Sequence, residues 1–366
     1  MFVGMARDFL SLSYLARPLN APGNCAWRVC HDSGAHWKRE RMSPEKRKLG
    51  RMKRFRIYAA WLFTLVTLWL AVCVATGIVA AEWMLHPGKR ALTNEDGVLA
   101  SAIASRSNAA LEDVAITAAD GATLRAWSIR PVSGNGDAVI LLHGHTGNRA
   151  GMLGYADLFL RHGYAVLLPD ARAHGVSGGD LATYGVLESG DIRRWFDWIQ
   201  HADSPHCIDG LGESMGAAQL LESLKAAPGF CAVVAESSYA SFREASYDRL
   251  GEKFGRGAGL GRTLLRPAVM AGFEYARWKY GVDLEQDSPQ DAVAGSRVPV
   301  LLIHGKRDTN LPPSHSEMIL ARCASRTPAV VLWEPAEAGH TGAAGAEPLE
   351  FERRVVGWFA EHDAQP

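Results

Sequence analysis

Apolar and polar positions follow different periods along this chain, and each period marks a region. Ile57–Ala81, IYAAWLFTLVTLWLAVCVATGIVAA, carries no charged residue. About 20 apolar residues suffice to cross a bilayer as a helix, so this stretch predicts a transmembrane span. From about residue 112 the pattern changes to short apolar runs separated by amphipathic segments. LEDVAITAADGATLRAWSIRP reads as a hairpin, two β-rich runs around Asp120-Gly121. DAVILLHG (137–144) and YAVLLPD (164–170) read as buried strands, with the helical segment NRAGMLGYADLFLRHG between them. In GVLESGDIRRWFDWIQHA (185–202), Val186, Leu187, Ile192, Trp195, Phe196 and Ile199 recur at helical spacing. CIDGLGES, CAVVAES, VPVLLIHG and PAVVLWEP add strands, and AAQLLESLKAA and LEFERRVVGWFAEH add helices. Apolar strands joined by helical crossovers imply a mostly parallel sheet covered on both faces, the α/β class.

One stretch breaks this rhythm. Between the strand ending near Ser237 and the strand at Val298, the segments FREASYDRLGEKFG and LLRPAVMAGFEYARWKY are both helix-like. Normal connections are far shorter. An insertion over about 243–292 predicts a helical cap above the carboxyl edge of the sheet, where ligands bind in α/β folds. A peripheral insertion without a role in binding is the other reading. The cap's Tyr247, Phe254, Phe273, Tyr275, Trp278 and Tyr280 hint at an apolar acyl chain, or pack on the sheet.

Charge refines the organisation. The 366 residues carry 39 basic and 39 acidic side chains. Net neutrality argues against nucleic acid as a partner, because phosphate binding needs a basic surface. Lys46, Arg47, Lys48, Arg51, Lys53, Arg54 and Arg56 crowd directly before the apolar run. Lys and Arg stay on the cytoplasmic side of a membrane. The expected order is therefore a cytoplasmic basic tail (1–56), a signal anchor (57–81), a linker or helix (82–111) and the α/β domain (112–366) outside. In a bacterium that is the periplasmic face of the inner membrane. A cleaved signal peptide with a start near Met52 is the alternative; the run exceeds a usual h-region, and no clear A-x-A site follows it. Cys25, Cys30, His31 and His36 do not stand at a standard zinc spacing, so no metal is expected there.

Chemistry concentrates at GLGESMGAAQ, 210–219. G-x-S-x-G alone is weak; its context is what counts. A strand precedes Ser214 and a helix follows it. That turn is sharp, strains the serine backbone and tolerates only small neighbours, here Gly212, Gly216, Ala217 and Ala218. A serine hydroxyl needs a base, and the base needs an orienting carboxylate. VLLIHGKRDTNLP places Asp308 after one strand and PAVVLWEPAEAGHTG places His340 after the last, giving the order Ser…Asp…His. Glu334 is an alternative acid. Two backbone N–H groups should hold the developing oxyanion. Met215 supplies one, and the loop LLHGHTGNR supplies the other at His145, with Thr146 as the alternative. His143 reads as structural.

The chain from about 112 to 362 resembles the α/β-hydrolase superfamily. HGHTGNR, DARAHGVSGG, GESMGA, HGKRD and AGHTG stand in its order and at its spacing. The set looks closest to the membrane-anchored serine hydrolases of the BEM46-like group, and is similar also to dienelactone-hydrolase-like and prolyl-oligopeptidase-like domains. One departure is Ala173, where many relatives carry glycine.

Together these readings predict an α/β-hydrolase fold with a helical cap, preceded by one transmembrane helix. The expected activity is ester or thioester hydrolysis on a small acyl substrate, without cofactor or metal. A peptidase on the same residues and a catalytically silent scaffold are the rivals. Cys207 and Cys231 begin successive strands that should be parallel neighbours. A disulfide between them, or two buried free thiols, are both open.

Overall fold

The computed structural model describes residues 43–363, apart from 228, 254, 256 and 324–328. Cys25, Cys30, His31, His36 and Phe254 lie outside the described residues. The chain divides into two compact units, Met1–Ala60 and Trp61–Pro366. In the first, the described residues belong almost wholly to the start of helix α1 (Pro44–Leu85) and are exposed throughout.

The second unit holds the sheet. After α2 (Asn94–Arg106) come the hairpin strands β1 (Ala109–Thr117) and β2 (Thr123–Pro131). Then follow β3 (Ala138–Leu142), α3 (Leu153–Arg161), β4 (Ala165–Pro169), α4 (Glu188–Ala202), β5 (Ile208–Glu213), α5 (Met215–Ser223) and β6 (Val233–Glu236). The insertion contains α6 (Phe242–Lys253), α7 (Gly257–Arg262) and α8 (Arg266–Tyr280). The chain closes with α9 (Pro289–Gly295), β7 (Val300–Ile303), α10 (Ser314–Cys323), β8 (Val330–Trp333), α11 (Ala343–Ala346) and α12 (Pro348–Asp363).

Eight strands form one sheet in the order β1-β2-β4-β3-β5-β6-β7-β8. β2 pairs antiparallel with β1 and β4, and the other pairs are parallel. Burial explains the composition: every residue of β3, AVILL, is buried, whereas the edge strand β1 alternates. One face of the sheet is covered by Met152, Phe159, Phe351 and Phe359, and the other by Trp195, Ile199, Leu220 and Val293.

Two details differ from the sequence pattern. The segment before β4 starts with a short 3-10 turn, Arg149–Met152, because Asn148 caps it by accepting from Ala150 N–H. The amphipathic segment at 185 becomes helical only at Glu188. Gly185 takes φ +117, and the Glu188 carboxylate accepts from Gly185 N–H and from both the N–H and hydroxyl of Thr183. Helix α9, at the far end of the insertion, packs on α5 and α10 and buries Val293 against the sheet. The helices above the carboxyl edge are thus α6 to α8.

The last turn of α1 is not a spacer. Leu85 is fully buried in an apolar cluster with Tyr184, Met215, Phe242 and Phe273. Its carbonyl accepts from Ala182 N–H, and the Met84 carbonyl accepts from the Tyr184 hydroxyl. A further contact is close enough to require glycine: a Cβ on Gly77 would meet Ala268 O at 2.1 Å and Gly272 N at 2.8 Å.

Cys207 and Cys231 are joined by a disulfide, with Cα atoms 5.8 Å apart. The bridge closes a loop with a sequence separation of 24. Loop-closure entropy over that length is worth about 3.5 kcal/mol. Cys207→Ser should lower the unfolding free energy by roughly 2–4 kcal/mol in urea titrations, and reductant should produce the same loss in the unsubstituted chain but none in the variant.

Candidate active site

Ser214 sits where β5 turns into α5. Its backbone is at φ 52 and ψ −114, a strained conformation for a residue with a Cβ. The turn is held from outside: Ser214 N–H donates to Glu236 O on β6 at 2.8 Å. Small neighbours are compulsory. A Cβ on Gly212 would lie 2.6 Å from Ala217 N, and one on Gly216 would lie 2.4 Å from Leu142 O.

His340 lies in the loop after β8, and Asp308 in the loop after β7. The Ser214 hydroxyl donates to His340 Nε2 at 2.8 Å, and His340 Nδ1–H donates to Asp308 Oδ2 at 2.7 Å. Glu334 takes no part in this line among the described residues; Asp308 holds the imidazole. Asp308 is itself fixed, because its Oδ1 accepts from Asn310 and Leu311 N–H at 2.8 and 2.9 Å. Burial pushes the Asp308 carboxyl up, but hydrogen bonding by His304, His340 and the Leu311 N–H outweighs it and holds the carboxyl well below the usual range. It therefore stays charged beside the imidazole at every pH of interest.

Of the two residues expected to supply N–H groups at the oxyanion position, Met215 follows Ser214 directly and His145 belongs to the loop after β3. Met215 begins α5, so its N–H is one of the unpaired donors of a helix N-terminus, at the positive end of the dipole. His145 follows Gly144, whose position would bring a Cβ within 3.5 Å of the Ser214 Cβ. Neither N–H donates a hydrogen bond among the described residues. Thr146 is in a left-handed conformation, φ 59, and its hydroxyl donates to His145 O, which fixes the peptide between them. His143 is structural: its Nε2 accepts from Ala171 N–H, so Nδ1 carries the proton and donates to Gly144 O. Burial, first, and the neighbouring His174 pull the His145 imidazole down to about 4, so its side chain is neutral at physiological pH.

The departure at Ala173 has a local reading. Ala173 has φ 58, in the region that glycine adopts without cost. The loop is nonetheless held by Ala173 N–H to Gly178 O, Ser177 N–H to His174 O, and the Asp170 carboxylate, which accepts from Val176 N–H and pairs with the buried Arg149. An alanine is kept in the glycine conformation by its surroundings.

Four features were not assigned to the site from the sequence, although Trp83 reads there as an interfacial aromatic of the apolar segment. Gly305 lies where the Asp308 and His340 loops touch; a Cβ there would meet Ala338 O at 2.3 Å. His304, fully buried, places Nε2 3.3 Å from Asp308 Oδ2. Glu236 pins the His340 loop from below by accepting from Ala343 N–H at 2.9 Å, and it also accepts from the Tyr155 hydroxyl. Trp83, near the end of α1, makes an edge contact with the His145 ring at 6.2 Å between centroids. A glycine directly after an apolar strand, as in LLHG and LLIHG, is the one sequence signal that could have marked Gly305. The contacts of Glu236 and Trp83 join distant segments, whereas His304 and Asp308 are four residues apart.

Glu236 gives a pH test. Burial pushes its carboxyl from 4.5 up to about 6, against the lowering effect of Ala343 N–H and Tyr155. Below pH 4.5 the group is protonated in both states. Between these values the folded chain binds the extra proton, so stability falls as pH rises and levels off above the folded value. Glu236→Gln should remove this step. The variant should gain on the unsubstituted chain by about 2 kcal/mol between pH 4.5 and 7 in urea titrations. Gly216→Val, which drives a side chain into the end of β3, should cost roughly 3 kcal/mol or more at any pH.

The comparisons agree with this architecture. A sequence model described as "Alpha/beta hydrolase family" matches residues 139–354. The Bacillus subtilis protein YqkD is 28% identical over 207 residues, which is 56% of this chain and 65% of YqkD. The chain thus spans just under two thirds of that relative. An esterase of Pyrococcus furiosus superposes with a TM-score of 0.60 at 24% identity, covering 76% of this chain and 100% of the esterase. An acylaminoacyl peptidase of Pyrococcus horikoshii superposes with a TM-score of 0.52 at 16% identity, covering 69% of this chain and 42% of the peptidase. At these identities the solved structures speak for the fold alone. With the family match spanning more than half of its length, this chain belongs to the alpha/beta hydrolase family.

Proposed function

We propose that the chain is a serine hydrolase of carboxylic esters or thioesters, held at a membrane by α1. The observation that carries the reading is the unbroken hydrogen-bonded line from Ser214 Oγ through His340 to Asp308. Ser214 Oγ attacks the acyl carbon as its proton passes to His340 Nε2. The ionised Asp308 stabilises the imidazolium that forms. The carbonyl oxygen becomes an oxyanion facing the free N–H groups of Met215 and His145, which are in place before charge develops. His340 returns the proton to the leaving oxygen or sulfur, and an acyl-enzyme remains on Ser214. Water, deprotonated by His340, releases the acid.

An acyl group rather than a peptide is favoured by the surroundings, since Met215 is packed among Leu85, Tyr184, Phe242 and Phe273. The esterase neighbour is consistent with that choice, although the peptidase neighbour shares the fold. Membrane anchoring is supported by α1, which is long and apolar enough to cross a bilayer. The basic residues before it support a cytoplasmic N-terminus and a hydrolase unit on the periplasmic face.

Fluorophosphonate labelling of the detergent-solubilised full chain tests the reading. The probe should label Ser214 and should not label Ser214→Ala. Ser214→Ala should lower kcat on p-nitrophenyl esters by on the order of 10⁴–10⁶-fold, and Asp308→Asn by about 10⁴-fold. A folded, unlabelled chain would remove the enzymatic reading. Turnover of peptide amides without turnover of esters would replace it with a peptidase.

A further inference from the structure

The end of α1 fixes the height of the site relative to the apolar segment that precedes it. Gly77 and Gly272 meet backbone to backbone, and Gly77 also abuts Ala268. Cys73, Gly77 and Ala81 are all buried, and three of the α8 residues that face this way, Ala268, Gly272 and Ala276, are small and buried. Small residues at such a crossing let helices approach closely, as inside membranes. Above the crossing, Glu82 accepts from Lys279 at 2.7 Å and from the Tyr275 and Tyr280 hydroxyls. Contacts that climb from 77 to 82 on α1 and from 268 to 280 on α8 mean that the two helices rise in the same direction.

Depth follows from helix geometry. Ala81 is the last residue of the uncharged segment. Gly77 lies about 6 Å below it at 1.5 Å per residue. Leu264, just before α8, lies up to about 6 Å lower again for aligned axes. Leu264 is 55% exposed, so an apolar cap residue faces outwards beside a helix stretch that is itself apolar. In the opposite direction, Trp83 stands only about 3 Å above Ala81 and touches the His145 ring. His145 and Ser214 therefore sit at the level where headgroups begin.

We propose that the end of the cap around Leu264 is immersed in the outer leaflet beside α1, and that the site takes its substrate from that leaflet. The substrate class is a bilayer-resident amphiphile whose ester carbonyl lies at the boundary between headgroup and chain. Its acyl chain stays on the apolar side, toward α8, and its leaving group faces water. The proposal rests on the reading of α1 as a membrane span.

The test uses the full chain reconstituted in phosphatidylcholine–phosphatidylglycerol vesicles. Leu264→Cys, in a chain with Cys25→Ser and Cys30→Ser, is labelled with an environment-sensitive NBD probe; Cys73 and Cys323 are buried. Turnover is compared for soluble p-nitrophenyl butyrate and for 4-methylumbelliferyl oleate dissolved in the same vesicles. The expected result is a carbonate-resistant chain whose probe is quenched by spin-labelled lipid. Leu264→Asp should lower the ratio of oleate to butyrate turnover by about tenfold or more. A carbonate-resistant chain whose probe reports water, with that ratio unchanged by Leu264→Asp, would overturn the proposal and leave the anchor standing. Release of the chain by carbonate would overturn the anchor, and the proposal with it.

Discussion

The close approach of three backbones at Ser214 governs the rest of the site. Strand β5 must turn into α5 within one residue, directly against the end of β3, whose Leu142 pairs with Gly212. Two glycines are needed to admit that approach, and the strained φ of Ser214 is its consequence. The strain is held by the sheet: Glu236 O on β6 takes the Ser214 N–H, and the same residue's carboxylate fixes the loop that carries His340. Ser214 and His340 are thus both held by one strand end. Without the parallel register of β5 and β6, which aligns Glu213 with Glu236, neither would be in reach of the other.

The charge pattern around this turn is arranged to act in one direction. Asp308 is kept ionised by His304, His340 and two backbone N–H groups, so His340 has a fixed anion on one side and a hydroxyl on the other. The His145 ring is kept neutral by burial and by the other histidines. With that ring neutral, the positive end of the α5 dipole remains beside Ser214. The carboxyls at the strand ends, Glu213 and Glu236, are both pushed upward by burial.

The apolar helix before the hydrolase unit ends inside it. Leu85 belongs to the same cluster as Met215, and the Tyr184 hydroxyl bonded to Met84 also lies 3.4 Å from His145 Nδ1. A chain trimmed at the end of the apolar segment would lose Leu85 from the cluster around Met215. This is a tighter coupling than a linker over 82–111 would give, and it arises because α1 continues as regular helix through Glu82 to Leu85.

The order of strands and helices, the hairpin at Asp120-Gly121 and the residues Ser214, Asp308 and His340 were legible because each is local. Alternation and helical spacing are read within a window of one element, and a turn as tight as that at Ser214 leaves its glycines in the sequence. The same holds for the apolar segment, whose length and lack of charge need no partner to be seen. What contacts between distant segments decide was not legible. The support of the His340 loop by Glu236 and the seat of Leu85 beside Met215 join residues far apart in the chain, and the sequence left Cys207 and Cys231 open between a bridge and two free thiols. Residue type and spacing carry no record of such pairs in a single sequence. Only the packing of the sheet, which fixes which strand ends and helix ends come within a few ångströms of each other, selects among them.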